Sequence, residues 1–390
     1  MYTILENGTI ITPSEVIDNG VMVINETGRI DFVGKQDSIK IPTGQLINVG
    51  GKIISPGFLD VHTHGGNGVD FSAGELSDNL DRYSKWAATS GVTGFLCSIA
   101  APDKESLNAI ISQYADIMKS GVRGAQALGM HLEGPFLNPK RKGAFNPAWL
   151  RSPDLNEVED YLRLGKGWIK QMTLSPELSG ALQVAALLKQ KGVIASLGHS
   201  DAVYELASAA LKKDFSHVTH CFNAQSGFNH RAPGVIGAIL DSEKITAELI
   251  GDGIHVHPAA MQILLRCVGE DRIVLITDAM PGAGLPDGQY EMIGQTVQVK
   301  NGKAVLSDGT LAGSTAQLNQ CVRNMNQLGG AALTSSINMA SINPARILGL
   351  SNEISSLQKG LWANLIVIDK DINVFLTMVK GKIVHDILQR

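Results

Sequence analysis

Between positions 57 and 277, short apolar runs of β-forming residues recur eight times, at 57–61, 94–99, 125–132, 169–174, 193–197, 217–221, 247–250 and 273–277. Longer stretches with helical spacing separate them, among them 181–190 and 203–212. Strands that keep one direction need a crossover between them, and a helix is the usual one, so this alternation predicts a parallel sheet. Eight such units in fewer than 300 residues fit a closed α/β barrel of the (β/α)8 TIM-like type, with an open, doubly wound sheet as the structural alternative. The 42 glycines follow no period and read as tight connections between elements rather than as low complexity.

The two ends of the chain read differently. The first fifty residues alternate short apolar runs with turn signals such as Asn7-Gly8 and Thr27-Gly28, and the last thirty repeat the style, with 365–368, 375–379 and a Lys380-Gly381 turn. One small β-sandwich domain built from both termini is expected, covering 1–54 plus 352–390, around a barrel at 55–351. A content of 44% hydrophobic and 18% charged residues suits a packed chain.

A net charge of −4 and a pI near 6.2 argue against a nucleic-acid partner. No run of 18 apolar residues suggests a membrane span, and the opening Met-Tyr-Thr-Ile-Leu-Glu lacks the basic-then-apolar order of a secretory signal. Cys97, Cys221, Cys267 and Cys321 lie far apart without a Cys-x-x-Cys, so they are expected to be small core residues of a reducing compartment, with the cytoplasm as the expected location.

The ionisable residues fall at the strand ends. His62 and His64 close the first run, Glu133 the third and Asp278 the eighth; His199 follows the fifth, and His220 lies in the sixth. In a parallel barrel these ends share one face, where active sites of the fold are built. Residues two apart on a strand point the same way, so His62 and His64 can face one ion. Imidazole nitrogen with carboxylate oxygen suits zinc and related divalent ions. A lone His-x-His is more often incidental, and a lone acid after an apolar run is usually a cap or a loop residue. The constellation is stronger than its members, because five strand ends each offer a ligand or proton carrier. His131, His217, His230 and His257 are expected to be structural or to stand behind the ligands.

These residues carry a resemblance to the amidohydrolase superfamily, and within it to the N-acetylglucosamine-6-phosphate deacetylases. It runs over almost the whole chain, through Pro56-Gly57-Phe58-Leu59-Asp60-Val61-His62-Thr63-His64, His131-Leu132-Glu133-Gly134-Pro135, Leu197-Gly198-His199-Ser200, His220-Cys221-Phe222-Asn223-Ala224, Asp252-Gly253-Ile254-His255, Thr277-Asp278-Ala279 and Leu311-Ala312-Gly313-Ser314. The resemblance implies that Glu133, His199 and His220 hold a principal divalent metal. Zinc is the leading expectation, with iron, manganese or cobalt as alternatives. His62 and His64 would hold a second ion, with Glu133 as the bridge, giving one or two ions per subunit. Asp278 would take a proton from the attacking water and return it to the leaving amine.

For the substrate, a phosphorylated N-acetyl amino sugar, the resemblance implies contacts from Asn223, Ala224, Arg231 and His255, and from Ala144, Leu311, Ala312 and Gly313. Arg231 would reach the site of a neighbouring subunit, so a homodimer is implied. One departure stands out. The Lys142-Gly143-Ala144-Phe145-Asn146-Pro147 segment places Phe145 where such deacetylases often carry a histidine. The alternatives are an N-acetylgalactosamine-6-phosphate deacetylase, another amidohydrolase such as a cyclic-amide hydrolase or deaminase, and a non-catalytic barrel scaffold. A carboxylated lysine on the fourth strand, often used by cyclic-amide members, has no counterpart in Leu174-Ser175-Pro176.

Overall fold

The computed structural model describes residues 1–388; Gln389 and Arg390, the last two positions of the expected terminal segment, lie outside the described residues. Eight parallel strands form one sheet in sequence order: β1 (Phe58–Thr63), β2 (Val92–Ile99), β3 (Gln126–Glu133), β4 (Ile169–Leu174), β5 (Ile194–Leu197), β6 (His217–Val218), β7 (Thr246–Ile250) and β8 (Ile273–Ile276). The sheet curls until β8 meets β1, so the barrel is nearly closed. Side chains and end residues complete the seam: Thr277 Oγ1–H donates to Asp60 Oδ2 (2.6 Å), and the Asp278 N–H donates to the His62 carbonyl (2.9 Å).

The strands are buried on both faces, which is why they read as continuous apolar runs. In β2, Phe95, Cys97 and Ile99 pack outward into the core shared with the surrounding helices. Leu96 packs instead with Val61, Ile250, Val274 and Ile276 in a separate small cluster. The helices start on side-chain caps where the sequence offers them. Asp103 accepts from the Ser106 N–H ahead of helix Lys104–Ile117, and Asp154 accepts from the Glu157 N–H ahead of helix Leu155–Gly165.

The expected strand 169–174 and helix 181–190 coincide with Ile169–Leu174 and Ala181–Gln190. The sixth strand is shorter than the expected 217–221, because the chain leaves the β region at His220 (φ 30°) and again at Phe222 (φ 78°) and Ala224 (φ 50°). A three-stranded sheet, Gly288–Met292, Gln295–Lys300 and Lys303–Val305, follows β8 and was not anticipated. Its alternating pattern and its Asn301-Gly302 turn, with both residues at positive φ, are hairpin signals.

Strands from both termini form one eight-stranded sheet. Its longest strand, Tyr2–Ile11, pairs in parallel with Gly44–Asn48 along its first half and with Ile53–Pro56 further on. Strand Leu365–Ile368 joins this sheet to the barrel. Leu365 and Val367 pack with Leu5, Ile54 and Leu376 in the sheet's own core, while Ile366 and Ile368 enter the barrel's helical core. Three of the four cysteines are buried as expected, but Cys267 is exposed, since it sits on the outer side of helix Pro258–Val268. Among the described residues no helix is long and apolar enough to cross a membrane.

Candidate metal centre and active site

The ends of β1, β3 and β8 and the turns after β5 and β6 bring six side chains to one point at the barrel mouth. Glu133 lies at its centre, with its two oxygens turned to different partners. Oε1 is 3.1 Å from His199 Nε2 and 3.0 Å from His220 Nε2, and Oε2 is 2.9 Å from His64 Nε2 and 3.5 Å from His62 Nε2. Asp278 Oδ1 stands 3.4 Å from His62 Nε2 and 3.3 Å from His64 Nε2. Two groups of three donors result, Glu133 with His199 and His220, and His62 with His64 and Asp278.

The backbone is bent to achieve this. His199, His220 and Asp278 all have positive φ (48°, 30° and 48°), a region that costs a non-glycine residue about 1–3 kcal/mol and persists only where the surroundings enforce it. At His199 the carbonyl is held by Ser175 Oγ–H (2.7 Å) and the Asn138 N–H (3.2 Å). Glu177 fastens the rest of that turn, accepting from Ser200 Oγ–H (2.8 Å) and the Asp201 N–H (2.7 Å).

Hydrogen bonds on the far side of two rings fix their tautomers. His62 Nδ1–H donates to Glu248 Oε2 (2.8 Å), and His199 Nδ1–H donates to the Arg141 carbonyl (2.7 Å). Their Nε2 lone pairs are thereby directed at carboxylate oxygens, and His62 Nε2 is fully buried with no hydrogen-bond partner. The Nε2 atoms of His199 and His220 are themselves only 3.1 Å apart. Lone pairs facing one another and an anionic oxygen repel unless a proton or a cation lies between them. Donors around a tetrahedral ion with bonds of about 2.0–2.2 Å stand roughly 3.3 Å apart, close to the spacing of the Glu133, His199 and His220 donors. The residues fit a divalent metal.

Charge points the same way. Burial pushes the Glu133 and Asp278 carboxyls up, but the imidazoles around them, His62 foremost, overcome it and hold both below the usual carboxylate range. Conversely, burial opposes the charged form of His64, yet the Asp278 and Glu133 carboxylates raise it to about 9. A cluster that stabilises positive charge this strongly at a buried point is suited to a cation. Chelator-stripped protein is expected to melt about 5 °C or more below protein carrying metal at a thousandfold excess over Kd, since such binding contributes about 4 kcal/mol. Identical melting curves, with no metal taken up, would contradict the assignment.

A cavity of about 380 Å³ opens over the cluster. His64, Glu133, His199, His220 and Asp278 form its floor, and Phe145, Met292 and Ile293 close one wall. The last two come from the unanticipated three-stranded sheet and pack with Phe145 in a single apolar cluster. The Phe145 ring lies edge-on to His199, 5.2 Å between centroids.

The amidohydrolase family model matches residues 53–384, and that span includes every one of these site residues. The chain belongs to the amidohydrolase family. Among its relatives, the N-acetylglucosamine-6-phosphate deacetylase of Bacillus subtilis (strain 168) is 37% identical over 383 residues, covering 97% of this chain and 96% of the relative. The N-acetylgalactosamine-6-phosphate deacetylase of Escherichia coli O157:H7 is also 37% identical, over 332 residues that cover 85% of this chain and 88% of the relative. A solved structure of a mutant N-acetyl-D-glucosamine-6-phosphate deacetylase from Mycobacterium smegmatis, in complex with N-acetyl-D-glucosamine-6-phosphate, superposes with a TM-score of 0.91 at 33% identity and 99% coverage of both chains.

Within this amidohydrolase site, the residues expected from the sequence fall into three groups. His62, His64, Glu133, His199, His220 and Asp278 converge. Ala144, Asn223, Ala224, His255, Leu311 and Gly313 line the cavity, and Asp252 Oδ2 accepts from His255 Nδ1–H (2.6 Å). Ala312 is fully buried behind the cavity wall. Arg231 is exposed on a loop and does not line its own chain's cavity; its guanidinium lies against His230 Nε2 (2.9 Å).

Of the four other expected histidines, His131, His217 and His257 are structural or stand behind the ligands, while His230 is exposed beside Arg231. His131 is held neutral between Ser98 Oγ (2.9 Å) and Thr173 Oγ1 (2.7 Å), burial pushing its pKa down to about 3. His217 meets Glu248 Oε1 (3.1 Å), and His257 caps helix Pro258–Val268. Sequence reasoning missed Glu248 and Asp60, two fully buried acids inside strands. A single acid within an otherwise apolar run, as in Thr246-Ala247-Glu248-Leu249-Ile250, was the available signal.

Proposed function

We propose that the chain hydrolyses the acetamide of N-acetylglucosamine-6-phosphate, giving glucosamine-6-phosphate and acetate. The observation that carries this is the bridging arrangement of Glu133, one oxygen toward each imidazole pair, with Asp278 at the floor of a sugar-sized cavity. Full-length relatives with that activity support the substrate class. Relatives named for the two C4 epimers are both 37% identical to this chain, the N-acetylgalactosamine one over a shorter span, so N-acetylgalactosamine-6-phosphate is the second reading.

Glu133, His199 and His220 would hold the principal ion, zinc because it takes imidazole nitrogen and carboxylate oxygen together, and His62, His64 and Asp278 a second. An ion there supplies Lewis acidity, polarising a carbonyl oxygen and making water acidic near neutral pH. The chain's own residues do the rest. Asp278, ionised and facing the cavity, takes the proton of the attacking water and delivers it to the leaving nitrogen, so one carboxylate acts as base and then as acid. Glu133 supplies negative charge to both ligand groups, and Phe145, Met292 and Ile293 exclude water from one side of the reacting amide.

His255, oriented by Asp252, and the turn at Asn223 and Ala224, whose Asn223 N–H is held by the His220 carbonyl (2.9 Å), would bind a phosphate at the cavity's rim. Arg231 is exposed and does not line its own chain's cavity, which favours a homodimer in which it serves a neighbouring site. A cytoplasmic enzyme with a barrel at 55–351 and a terminal domain at 1–54 plus 352–390 completes the reading. Arg231→Ala is expected to raise KM for the phosphorylated sugar about 10- to 100-fold, the loss of a charge-assisted pair, and to leave the unphosphorylated sugar unchanged. Equal effects on both sugars, measured by steady-state kinetics, would remove the phosphate role.

Acetate release from both 6-phosphates, assayed side by side on one metal-loaded preparation, tests the activity and the epimer together. Turnover of neither sugar would overturn the proposal.

A further inference from the structure

Beneath the metal cluster, inside the barrel, lies a carboxylate that touches neither the cavity nor any lysine or arginine among its hydrogen-bond partners. Glu248 on β7 is fully buried and accepts four hydrogen bonds. Oε2 accepts from His62 Nδ1–H (2.8 Å) and from the His220 backbone N–H (3.1 Å), and Oε1 accepts from Gln171 Nε2–H (2.7 Å) and His217 Nε2–H (3.1 Å). Thr246 Oγ1, 2.6 Å from His217 Nδ1, completes that ring's partners and leaves its Nε2 as the donor.

We propose that Glu248 is a positioning residue shared by both ligand groups of the metal centre. The inference rests on the reading of those groups as metal sites. A buried carboxylate with no lysine or arginine beside it is costly in an apolar interior, and a leucine or methionine would fill the same space without that cost. Glu248 instead accepts four hydrogen bonds, and two of the four donors, His62 Nδ1–H and the His220 N–H, belong to residues of the cluster.

It does two things at once. By accepting from His62 Nδ1 it fixes the tautomer whose Nε2 lone pair points at the second ion's position, and its charge makes that nitrogen a stronger donor. By accepting from the His220 N–H it secures the residue whose positive φ (30°) turns its ring toward Glu133 and the principal ion. Strain of that kind needs an anchor, and this hydrogen bond from β7 is one. A single carboxylate therefore couples the alignment of both ligand groups, and loosening it would loosen both.

The test is a zinc and cobalt titration of the full chain and of Glu248→Gln, each first stripped of metal. The amide keeps the size of the carboxylate but carries no charge and has only one acceptor oxygen. Zinc affinity in Glu248→Gln is expected to fall about 10- to 100-fold, the usual effect of losing a partner behind a ligand. The visible absorption of bound cobalt, which reports ligand geometry, is expected to change shape. The metal-free proteins are expected to melt at nearly the same temperature.

Unchanged zinc affinity and an unchanged cobalt spectrum, with a lower melting temperature for the metal-free variant, would show a purely structural role and overturn the inference. An unmodified chain that binds neither metal would overturn the metal-site reading itself. Should Glu248→Gln fail to fold, Gln171→Leu removes only one of the four hydrogen bonds. It is expected to weaken zinc several-fold in the same direction, and no change there counts against the inference.

Discussion

Asp278→Asn is expected to lower kcat about 10³- to 10⁴-fold while KM and the metal content of the principal site stay close to those of the unmodified chain. The substitution keeps the size and hydrogen-bonding reach of the side chain but removes its basicity, so the attacking water loses its proton acceptor and the leaving nitrogen its donor. Folding should be little affected, because the Asp278 N–H and carbonyl, which bond the His62 carbonyl and the Ser314 N–H, belong to the backbone. Acid–base chemistry and metal binding are separated by measuring zinc per chain on the same preparation used for kinetics. A variant with full activity would remove Asp278 from the mechanism.

Glu133→Gln is expected to be more severe. An amide offers one acceptor and one donor group where the carboxylate offered two acceptors. Whichever way the side chain sits, an N–H₂ group meets either the His199 and His220 pair or the His62 and His64 pair. One group then loses its anionic donor, and the other keeps only a neutral oxygen. Metal content should fall in both, and kcat/KM by on the order of 10⁴ or more, since Lewis acidity and oxyanion stabilisation are lost together. Retention of both ions and of activity would show that the carboxylate does not bridge. Metal-free Glu133→Gln should also lack most of the melting increase on zinc addition expected of the unmodified chain.

The contrast between these acids and Glu248 shows how much of the site could be read from sequence. Glu133 and Asp278 end apolar runs, where a parallel barrel exposes its strand ends, so position alone made them candidates. Glu248 lies in the middle of its strand. Alternation places it inside the barrel, but only the structure shows that the inward space beside it holds His62, Gln171 and His217 from three other strands.

The fold itself was legible because strands buried on both faces leave continuous apolar runs, separated by longer stretches of helical spacing. What escaped was the Gly288–Val305 insertion. Its alternation and Asn301-Gly302 turn mark a hairpin but not its place beside the site, which becomes plain only when Met292 and Ile293 are seen closing the cavity against Phe145. The short sixth strand escaped for a related reason. The run His217–Cys221 has β composition, yet His220 leaves the β region in order to reach Glu133. There the requirement of the site overrides local preference.

The central claim is that Glu133, His199 and His220 meet around one ion. Anomalous X-ray diffraction collected above and below the zinc absorption edge, from crystals of the active, zinc-loaded protein, tests this most directly. A strong difference peak is predicted among Glu133 Oε1, His199 Nε2 and His220 Nε2, within about 2.0–2.2 Å of each. A catalytically active crystal with no such peak, or with its zinc bound elsewhere in the chain, would contradict it.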